Sequence, residues 1–251
     1  GAVEVARRAV RRLAGLPPKV AVAMATFDPD LARLDAQIAS IRAQTLADWS
    51  LVVSDESTRV DAREALARHA EADPRIRLVR GPRRGFLGNF ERALRHLDPR
   101  APYVALADQD DVWDPLKLDR LLPELETTGA PLAYADMRIV DAEGKAIGGD
   151  ADHRFFSWRR PHGHTVRELL LTNTVSGTAL LARHEVLRRA LPIPHAADAF
   201  HDQWIALVAA TMGEIRFVDE ALQDYVQHGG NVIGHDSAHA AAASARLAVR
   251  R

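Results

Sequence analysis

Short apolar segments alternate with helix-like segments four times along the first half of the chain, and this rhythm constrains the fold more than any other feature. The apolar segments span residues 19–26, 49–55, 75–81 and 103–108. Each is followed by apolar residues at helical spacing, as in Leu31, Leu34 and Ile38. Strands that are apolar on both faces and alternate with helices form parallel sheets covered on both sides. The sequence therefore predicts an α/β fold with a doubly wound, mostly parallel sheet, helices on both faces, and ligands bound beyond the carboxyl ends of the strands.

Composition narrows the class of protein. Apolar residues make up 47% of the 251 residues, which is enough for a substantial core. The net charge of −1 lacks the basic excess that phosphate contacts require, so we expect no nucleic-acid partner. The absence of cysteine excludes disulfides and thiolate metal sites. No apolar run approaches the roughly 20 residues that span a bilayer. We expect a cytoplasmic location, with peripheral attachment to the inner face of the membrane as the alternative.

The chain is expected to form one main domain with short flanking segments. Residues 1–18 are predicted to be an N-terminal helix or linker, residues 19–235 the main domain, and residues 236–251 a C-terminal helix or linker. After Gly129 the strand–helix rhythm gives way to shorter strands and loops, which predicts a smaller second half that completes a site. The chain begins at Gly1 rather than Met, which suggests further domains of a longer protein.

Four acids crowd the end of the fourth apolar segment. Asp108, Asp110, Asp111 and Asp114 lie within seven residues, and like charges this close repel one another unless a cation or a helix N-terminus offsets them. Pro115 favours a helix start, so Asp114 is interpreted as a cap, and Asp111 has that role as an alternative. Asp108 and Asp110 precede the cap. Their oxygens suit Mg²⁺ or Mn²⁺, which usually bridge carboxylates to substrate phosphates.

Seven stretches resemble, in the same order, motifs of family-two inverting glycosyltransferases of the GT-A fold. They are VAVAMATFD, LVVSDEST, RGFLGNFERAL, LADQDDVWDPLKL, NTVSGTALLAR, FHDQWIALVA and YVQHGGNVIG. Each stretch alone is a weak signal, but seven in order at predicted strand ends are strong together. DQDDVW resembles the DxD metal motif in the form common among bacterial rhamnosyltransferases. The resemblance covers residues 19–234, and it implies that the smaller second half faces the acceptor.

The resemblance also implies roles for individual residues. Asp202 matches the position of the catalytic base. Asp110 would bind the metal, Asp108 would face the metal or the ribose, and His228 would be a further ligand to the metal or to the diphosphate. Asp55 would accept a hydrogen bond from the imide N–H of a pyrimidine. The full set of predicted nucleotide-sugar contacts is Thr26, Phe27, Asp55, Arg84, Asn89, Asp108 and Gly177. Arg84 is included for its charge, which suits phosphates, and the alternative for it is a solvated turn.

Some of these residues have a structural alternative. Trp113, His201 and Trp204 are assigned to the acceptor or sugar pocket, although a tryptophan near a helix start more often packs in the core. Asp202 begins a helix-like segment, so it fits an N-cap as well as a base.

The resemblance implies a metal-dependent, inverting transfer of a sugar from a nucleoside diphosphate to a glycan or lipid-linked glycan in bacterial surface polysaccharide assembly. The cofactor would be Mn²⁺ or Mg²⁺. The first expectation for the donor is dTDP-rhamnose. The alternatives are a UDP-hexose or UDP-hexosamine donor, and a degenerate nucleotide-sugar-binding module of a larger polymerase.

Overall fold

The computed structural model describes residues 16–147, 165–171, 173–194 and 200–227. Within these residues a twisted sheet of eight strands is covered by helices. The strands are β1 (Val20–Thr26), β2 (Trp49–Asp55), β3 (Ile76–Arg80), β4 (Tyr103–Ala107), β5 (Val112–Trp113), β6 (Leu132–Val140), β7 (Leu180–Arg183) and β8 (Arg216–Val226). The helices are α1 (Leu31–Arg42), α2 (Val60–Ala72), α3 (Gly85–Arg95), α4 (Lys117–Thr128), α5 (Val166–Leu171), α6 (His184–Ala190) and α7 (His201–Met212), with a 3₁₀ turn at Gly177–Ala179.

The first four strands are parallel and lie in the order β3-β2-β1-β4. Their register pairs Thr26 with Asp55, and Met24 with Ala107. The carboxyl ends of these strands therefore meet at one edge of the sheet, and the predicted doubly wound α/β arrangement is confirmed.

The second half of the sheet mixes strand directions. β7 runs antiparallel between β4 and β6, whereas β8 is parallel to β6. The two-residue strand β5 pairs antiparallel with β8 through Val112 and Trp113. This pairing brings the two residues between Asp111 and Asp114 of the predicted acid cluster against β8. The sequence analysis did not foresee β5, because two residues are too few to show a strand pattern.

Each face of the sheet has its own core. On one face, apolar residues of α1, α2 and α4 pack on β1 and β2 side chains such as Val22 and Leu51. On the other face, residues of α3, α6 and α7 pack on Ala23 and Leu106. Burial of both faces explains why these strands read as continuous apolar runs. Helices on both faces were predicted and are confirmed.

None of the helices in the described residues has the length and apolarity needed to cross a bilayer. Residues 1–15 and 236–251, which hold most of the predicted terminal helices or linkers, lie outside the described residues.

Candidate active site

Asp55 holds the ends of β1 and β2 together. Its side chain is almost completely buried, and Oδ1 accepts hydrogen bonds from Thr26 Oγ1 at 3.1 Å and from the backbone N–H of Ser57 at 3.0 Å. Arg80 Nε lies 3.8 Å from Oδ2. A buried carboxylate needs such partners because desolvation penalises its charge. Thr26 and Asp55, two predicted nucleotide contacts, thus lie together. Of the two carboxylate oxygens of Asp55, Oδ2 is the one that faces Arg80.

Asp28 joins the loop after β1 to the loop after β2. It adopts a left-handed backbone conformation with φ of 42°. Its carboxylate accepts from the N–H and the hydroxyl of Thr58, both at 2.7 Å, and from the N–H of Arg59 at 2.9 Å. Burial acts to raise the pKa of Asp28, but the hydrogen bonds from Thr58 and Arg59 outweigh it and hold the pKa below its usual value.

Glu56 fixes the arginine-rich loop before α3. The buried carboxylate accepts from Arg92 Nη2 at 3.0 Å and from the backbone N–H groups of Arg84 and Gly85 at 3.0 and 3.2 Å. Arg84 therefore stands at the start of α3 with an exposed side chain. The sequence analysis did not single out Glu56 or Arg92. The available signal was an acid at the end of β2 and a loop of several arginines after β3, the neighbouring parallel strand.

Asn89 and Phe27 differ in what they offer a ligand. Asn89 is buried, and its Nδ2 donates to the carbonyl oxygen of Thr26 at 3.0 Å, so it shapes the site by anchoring α3 to the end of β1. Phe27 is 52% exposed, and its backbone N–H donates to Gln109 Oε1 at 2.9 Å. The guanidinium carbon of Arg83 lies 5.3 Å from the centre of the Phe27 ring. Phe27 thus presents an apolar face at the edge where the strands end.

The acids after β4 lie together as their spacing suggested. Burial and the charges of Asp111, Asp110 and Asp202 raise the pKa of Asp108 well above its usual value. Burial and the charge of Asp110 raise the pKa of Asp111 to about 7, although Lys117 acts in the opposite direction. Mutual repulsion is therefore a property of this cluster, and a cation would offset it.

Two buried polar residues that the sequence analysis missed lie beside these acids. Lys117, the first residue of α4, donates from Nζ to the carbonyl oxygen of Thr178 and to Gln223 Oε1. Gln223 lies on β8, and its Nε2 donates to Asp111 Oδ2 at 3.2 Å and to Thr178 Oγ1 at 2.6 Å. Burial lowers the pKa of Lys117 well below its usual value, and the neighbouring acids oppose that shift. The signal in the sequence is a polar residue within an otherwise apolar pattern, as at Lys117 before Leu118.

Asp202 lies in the first turn of α7 and faces the loop before the 3₁₀ turn. Its Oδ1 accepts from Asn173 Nδ2 at 3.1 Å, and its Oδ2 accepts from the backbone N–H of Gly177 at 3.2 Å. Phe200 occupies the N-cap position and makes no side-chain cap. The alternative that Asp202 is the N-cap of this helix is therefore wrong, although its Oδ1 also accepts from the N–H of Gln203.

Gly177 and His201 are in close contact. A Cβ atom on Gly177 would lie 2.9 Å from His201 Nε2 and 3.1 Å from Asp202 Cβ, so the approach requires glycine. The ring of His201 stacks on Phe90 with 4.3 Å between centroids, and Phe86 meets it edge-on at 5.1 Å. Burial lowers the pKa of His201, opposed by Asp202. The structure thus packs His201 against α3 rather than exposing it in an acceptor pocket, because its neighbours cover the ring.

The two tryptophans also pack. Trp113 lies in β5, not at a helix start, and is 2% exposed, so the predicted sugar-stacking role is wrong for this ring. Trp204 is partly buried, and its Nε1 donates to the carbonyl oxygen of Ala190 at 2.7 Å. Asp114 accepts from the backbone N–H of Leu116 at 2.9 Å, in the turn that leads into α4. The interpretation of Asp114 as the helix cap is therefore wrong, because Leu116 occupies the N-cap position of α4 without a side-chain cap, and Asp114 stabilises only the turn before it.

The donor set at the end of β4 fits a hard divalent cation. Among the residues that the structure describes, no group of three or more His, Asp or Glu side chains encloses a cation by itself. Two carboxylates are nevertheless a suitable protein share for Mg²⁺ or Mn²⁺, which keep waters and bind phosphate oxygens. His228, the third predicted ligand, lies outside the described residues.

Comparison with known proteins agrees with this architecture. Succinoglycan biosynthesis protein ExoW of Rhizobium meliloti is 32% identical over 142 residues, which are 55% of this chain and 41% of ExoW. The mannosyltransferase PcManGT from Pyrobaculum calidifontis, solved with GDP-Man and Mn²⁺, superposes with a TM-score of 0.66 at 19% identity and covers 94% of this chain and 65% of PcManGT. Residues 1–349 of S. aureus TarS with UDP-GlcNAc give a TM-score of 0.63 at 17% identity, with 85% of this chain and 60% of that 1–349 fragment covered.

The chain therefore spans less than two thirds of the length of each of these proteins. The structural similarity shows the fold shared with GT-A glycosyltransferases. The sequence model of glycosyl transferase family 2 matches residues 22–190, which include the ends of β1, β2 and β4. The chain belongs to glycosyltransferase family 2.

Proposed function

We propose that the protein transfers a sugar, with inversion at the anomeric carbon, from a nucleoside diphosphate to a glycan or lipid-linked glycan in bacterial surface polysaccharide assembly. The observation that carries the proposal is that Asp202 and the acids after β4 meet at one turn. Asp202 Oδ2 accepts from the N–H of Gly177. The next residue, Thr178, contacts Gln223, which donates to Asp111 Oδ2. A base candidate and a diphosphate-binding candidate thus lie at the same edge. The name of ExoW, a succinoglycan biosynthesis protein, supports the polysaccharide context.

Each residue has a distinct task in this proposal. Asp202 accepts the proton of the acceptor hydroxyl during attack, because an alcohol is a poor nucleophile. Its hydrogen bonds to Asn173 and Gly177 orient the carboxylate. Asp108 and Asp110 would hold a divalent cation, which supplies stabilisation of the charge that develops on the leaving diphosphate. A base on the face of the sugar opposite the leaving group gives inversion.

The nucleoside would lie against the ends of β1 and β2. Asp55 Oδ2 would accept the imide N–H of a pyrimidine, while Oδ1 remains engaged by Thr26 and Ser57. Phe27 would offer its exposed ring to the base or ribose, and Arg84 would approach the phosphates. The first donor we propose is dTDP-rhamnose, on the DQDDVW resemblance. A UDP-hexose or UDP-hexosamine is the second, supported by the fold shared with TarS, which was solved with UDP-GlcNAc.

A thermal-shift screen of nucleotide sugars with and without Mn²⁺ tests the proposal. A ligand that binds the native state raises the melting temperature. We expect pyrimidine diphosphate sugars to do so, and to do so more strongly with Mn²⁺. The best ligand is then assayed for donor hydrolysis without acceptor, which a degenerate binding module would not catalyse. No stabilisation by any nucleotide sugar would overturn the proposal, and binding without hydrolysis or transfer would favour the degenerate module.

A further inference from the structure

A buried chain of hydrogen bonds joins the acids after β4 to the candidate base on α7. We propose that Lys117, Gln223 and Thr178 are positioning residues that fix the location of Asp202 relative to the acids. None of the three is within the predicted binding or catalytic set. The inference rests on the proposed transferase function, because it concerns the relative geometry of the base and the diphosphate site.

The first part of the chain connects the acids to Lys117 and Gln223. Gln223 Nε2 donates to Asp111 Oδ2 at 3.2 Å, and Gln223 Oε1 accepts from Lys117 Nζ at 2.5 Å. Both Lys117 and Gln223 have no exposed surface. An amine keeps two N–H bonds even when neutral, so Lys117 can serve both of its acceptors in either protonation state.

The second part connects Lys117 and Gln223 to the base. Lys117 Nζ donates to the carbonyl oxygen of Thr178, and Gln223 Nε2 donates to Thr178 Oγ1 at 2.6 Å. Thr178 follows Gly177 in the 3₁₀ turn, and the Gly177 N–H donates to Asp202 Oδ2 at 3.2 Å. A shift of this turn therefore moves a hydrogen-bond donor of the base.

Burial makes this link stiff. A buried polar group that loses its partner is penalised by desolvation, so Thr178, Gln223 and Lys117 resist separation. Catalysis needs such stiffness, because misplacement of a reacting group by about 1 Å can reduce the rate by about a hundredfold. In this arrangement Asp111 is not needed as a metal ligand. Its contact with Gln223 holds the acids after β4 against β8.

Thr178 offers the cleanest set of variants. Thr178→Val removes the hydroxyl that Gln223 contacts and keeps the side-chain shape, whereas Thr178→Ser keeps the hydroxyl. Ile215→Val is the control, because Ile215 is a buried core residue at the start of the β8 region and lies outside the link. An Ile→Val change removes one methylene and destabilises by roughly 0.5–1.5 kcal/mol, so it reports what ordinary destabilisation does to the rate.

We expect Thr178→Val to lower kcat on the order of tenfold or more, with the KM for the nucleotide sugar within about twofold of the parent. Thr178→Ser should recover most of the rate. Ile215→Val should keep the parental kcat even if its melting temperature falls as far as that of Thr178→Val. In the background Asp202→Asn, Thr178→Val should have almost no further effect on kcat, because no base remains to be positioned.

Amide hydrogen exchange gives a measurement that needs no turnover. We expect faster exchange across residues 173–180 and 108–113 in Thr178→Val, and parental exchange there in Thr178→Ser and Ile215→Val. Any one of three results overturns the inference: a parental kcat in Thr178→Val, a loss of kcat in Thr178→Val equal to that in Ile215→Val, or no recovery of kcat in Thr178→Ser. If the parent protein transfers and hydrolyses no donor, the proposed function fails; unchanged exchange in Thr178→Val then separately overturns the link.

Discussion

At the ends of β1 and β2, Asp28, Asp55 and Glu56 accept hydrogen bonds from backbone N–H groups, hydroxyls and an arginine, whereas Asp108 and Asp111 after β4 face other acids. In the first region the carboxylates already have hydrogen-bond donors and a positively charged partner within the protein. This region is therefore organised before a ligand binds. In the second region repulsion among the acids still contributes to the raised pKa values of Asp108 and Asp111, although Lys117 opposes it and Asp111 accepts a hydrogen bond from Gln223. This difference supports the proposed division into a nucleoside platform at the ends of β1 and β2 and a cation-dependent diphosphate site after β4.

Asp110→Asn alters the proposed cation site after β4 and should have the largest effect of these substitutions. It removes a hard anionic ligand, so we expect loss of turnover and of the Mn²⁺-dependent rise in melting temperature upon donor binding. The fold should survive because repulsion among the acids is also relieved. Asp114→Asn is the matched control, since Asn can still accept from Leu116, and it should retain both signals. Mn²⁺-dependent turnover at the parental rate in Asp110→Asn would contradict the metal assignment.

Asp202→Asn removes the proposed base and keeps the side-chain shape. We expect the transfer rate to fall by at least about a hundredfold, within the range of about 10²–10⁴ typical of general-base loss. Both oxygens of Asp202 accept hydrogen bonds, so the new amide must face Asn173 or Gly177 and the melting temperature should fall slightly. Donor affinity measured by calorimetry should stay near the parental value. Transfer within a few-fold of the parent would return Asp202 to a purely structural role.

Asp55→Ala tests the preformed side. One charge-assisted hydrogen bond to the base is lost, which should weaken UDP and dTDP binding by about 1.5–3 kcal/mol in titration calorimetry. Some loss of stability should accompany it, because Thr26 and Ser57 lose their acceptor. Equal affinity of the parent protein for purine and pyrimidine diphosphates would contradict the assignment of Asp55 as the residue that recognises the pyrimidine.

The two regions should also respond oppositely to pH. The folded-state pKa of Asp111 is raised to about 7 from 3.8, so the folded protein holds more protons than the unfolded chain between these values and stability falls as pH rises through them. Mn²⁺ needs the ionised acids and offsets that loss. We therefore expect the Mn²⁺-induced rise in melting temperature to be larger at about pH 8 than at about pH 5.5. An equal rise at both values would show that these acids do not titrate with the cation.

Asp28→Asn should have the smallest effect. The pKa of Asp28 is lowered from 3.8, so its contribution to stability is present above that value and is lost as pH falls through the folded-state pKa. Asn tolerates the left-handed backbone, which leaves the charge as the main change. We expect a small drop in melting temperature at neutral pH that vanishes in strongly acidic buffer. A drop that persists there would point to geometry rather than charge.

The residues that sequence alone placed correctly are those fixed by local pattern. Strand ends such as Thr26, Asp55 and Asp108 follow from the strand–helix rhythm, because parallel strands must deliver their carboxyl ends to one edge. Lys117 and Gln223 were missed because their partners are 61 and 112 residues away in the chain. Trp113 was misplaced because β5 exists only through pairing with β8. The direction of β7 is likewise set by tertiary contacts.

The close approach at Gly177 has a consequence for how such a site could diversify. With His201 and Asp202 within 3.1 Å of where a Cβ would lie, any side chain there would force the His201 ring, Asp202 or the turn itself to shift. Selection for new acceptors, in evolution or in a variant library, therefore leaves almost no freedom at position 177. This holds for any acceptor sugar. Under the proposed function, variation in acceptor choice would come from other segments around Asp202, and substitutions at Gly177 would give proteins that fold but are inactive.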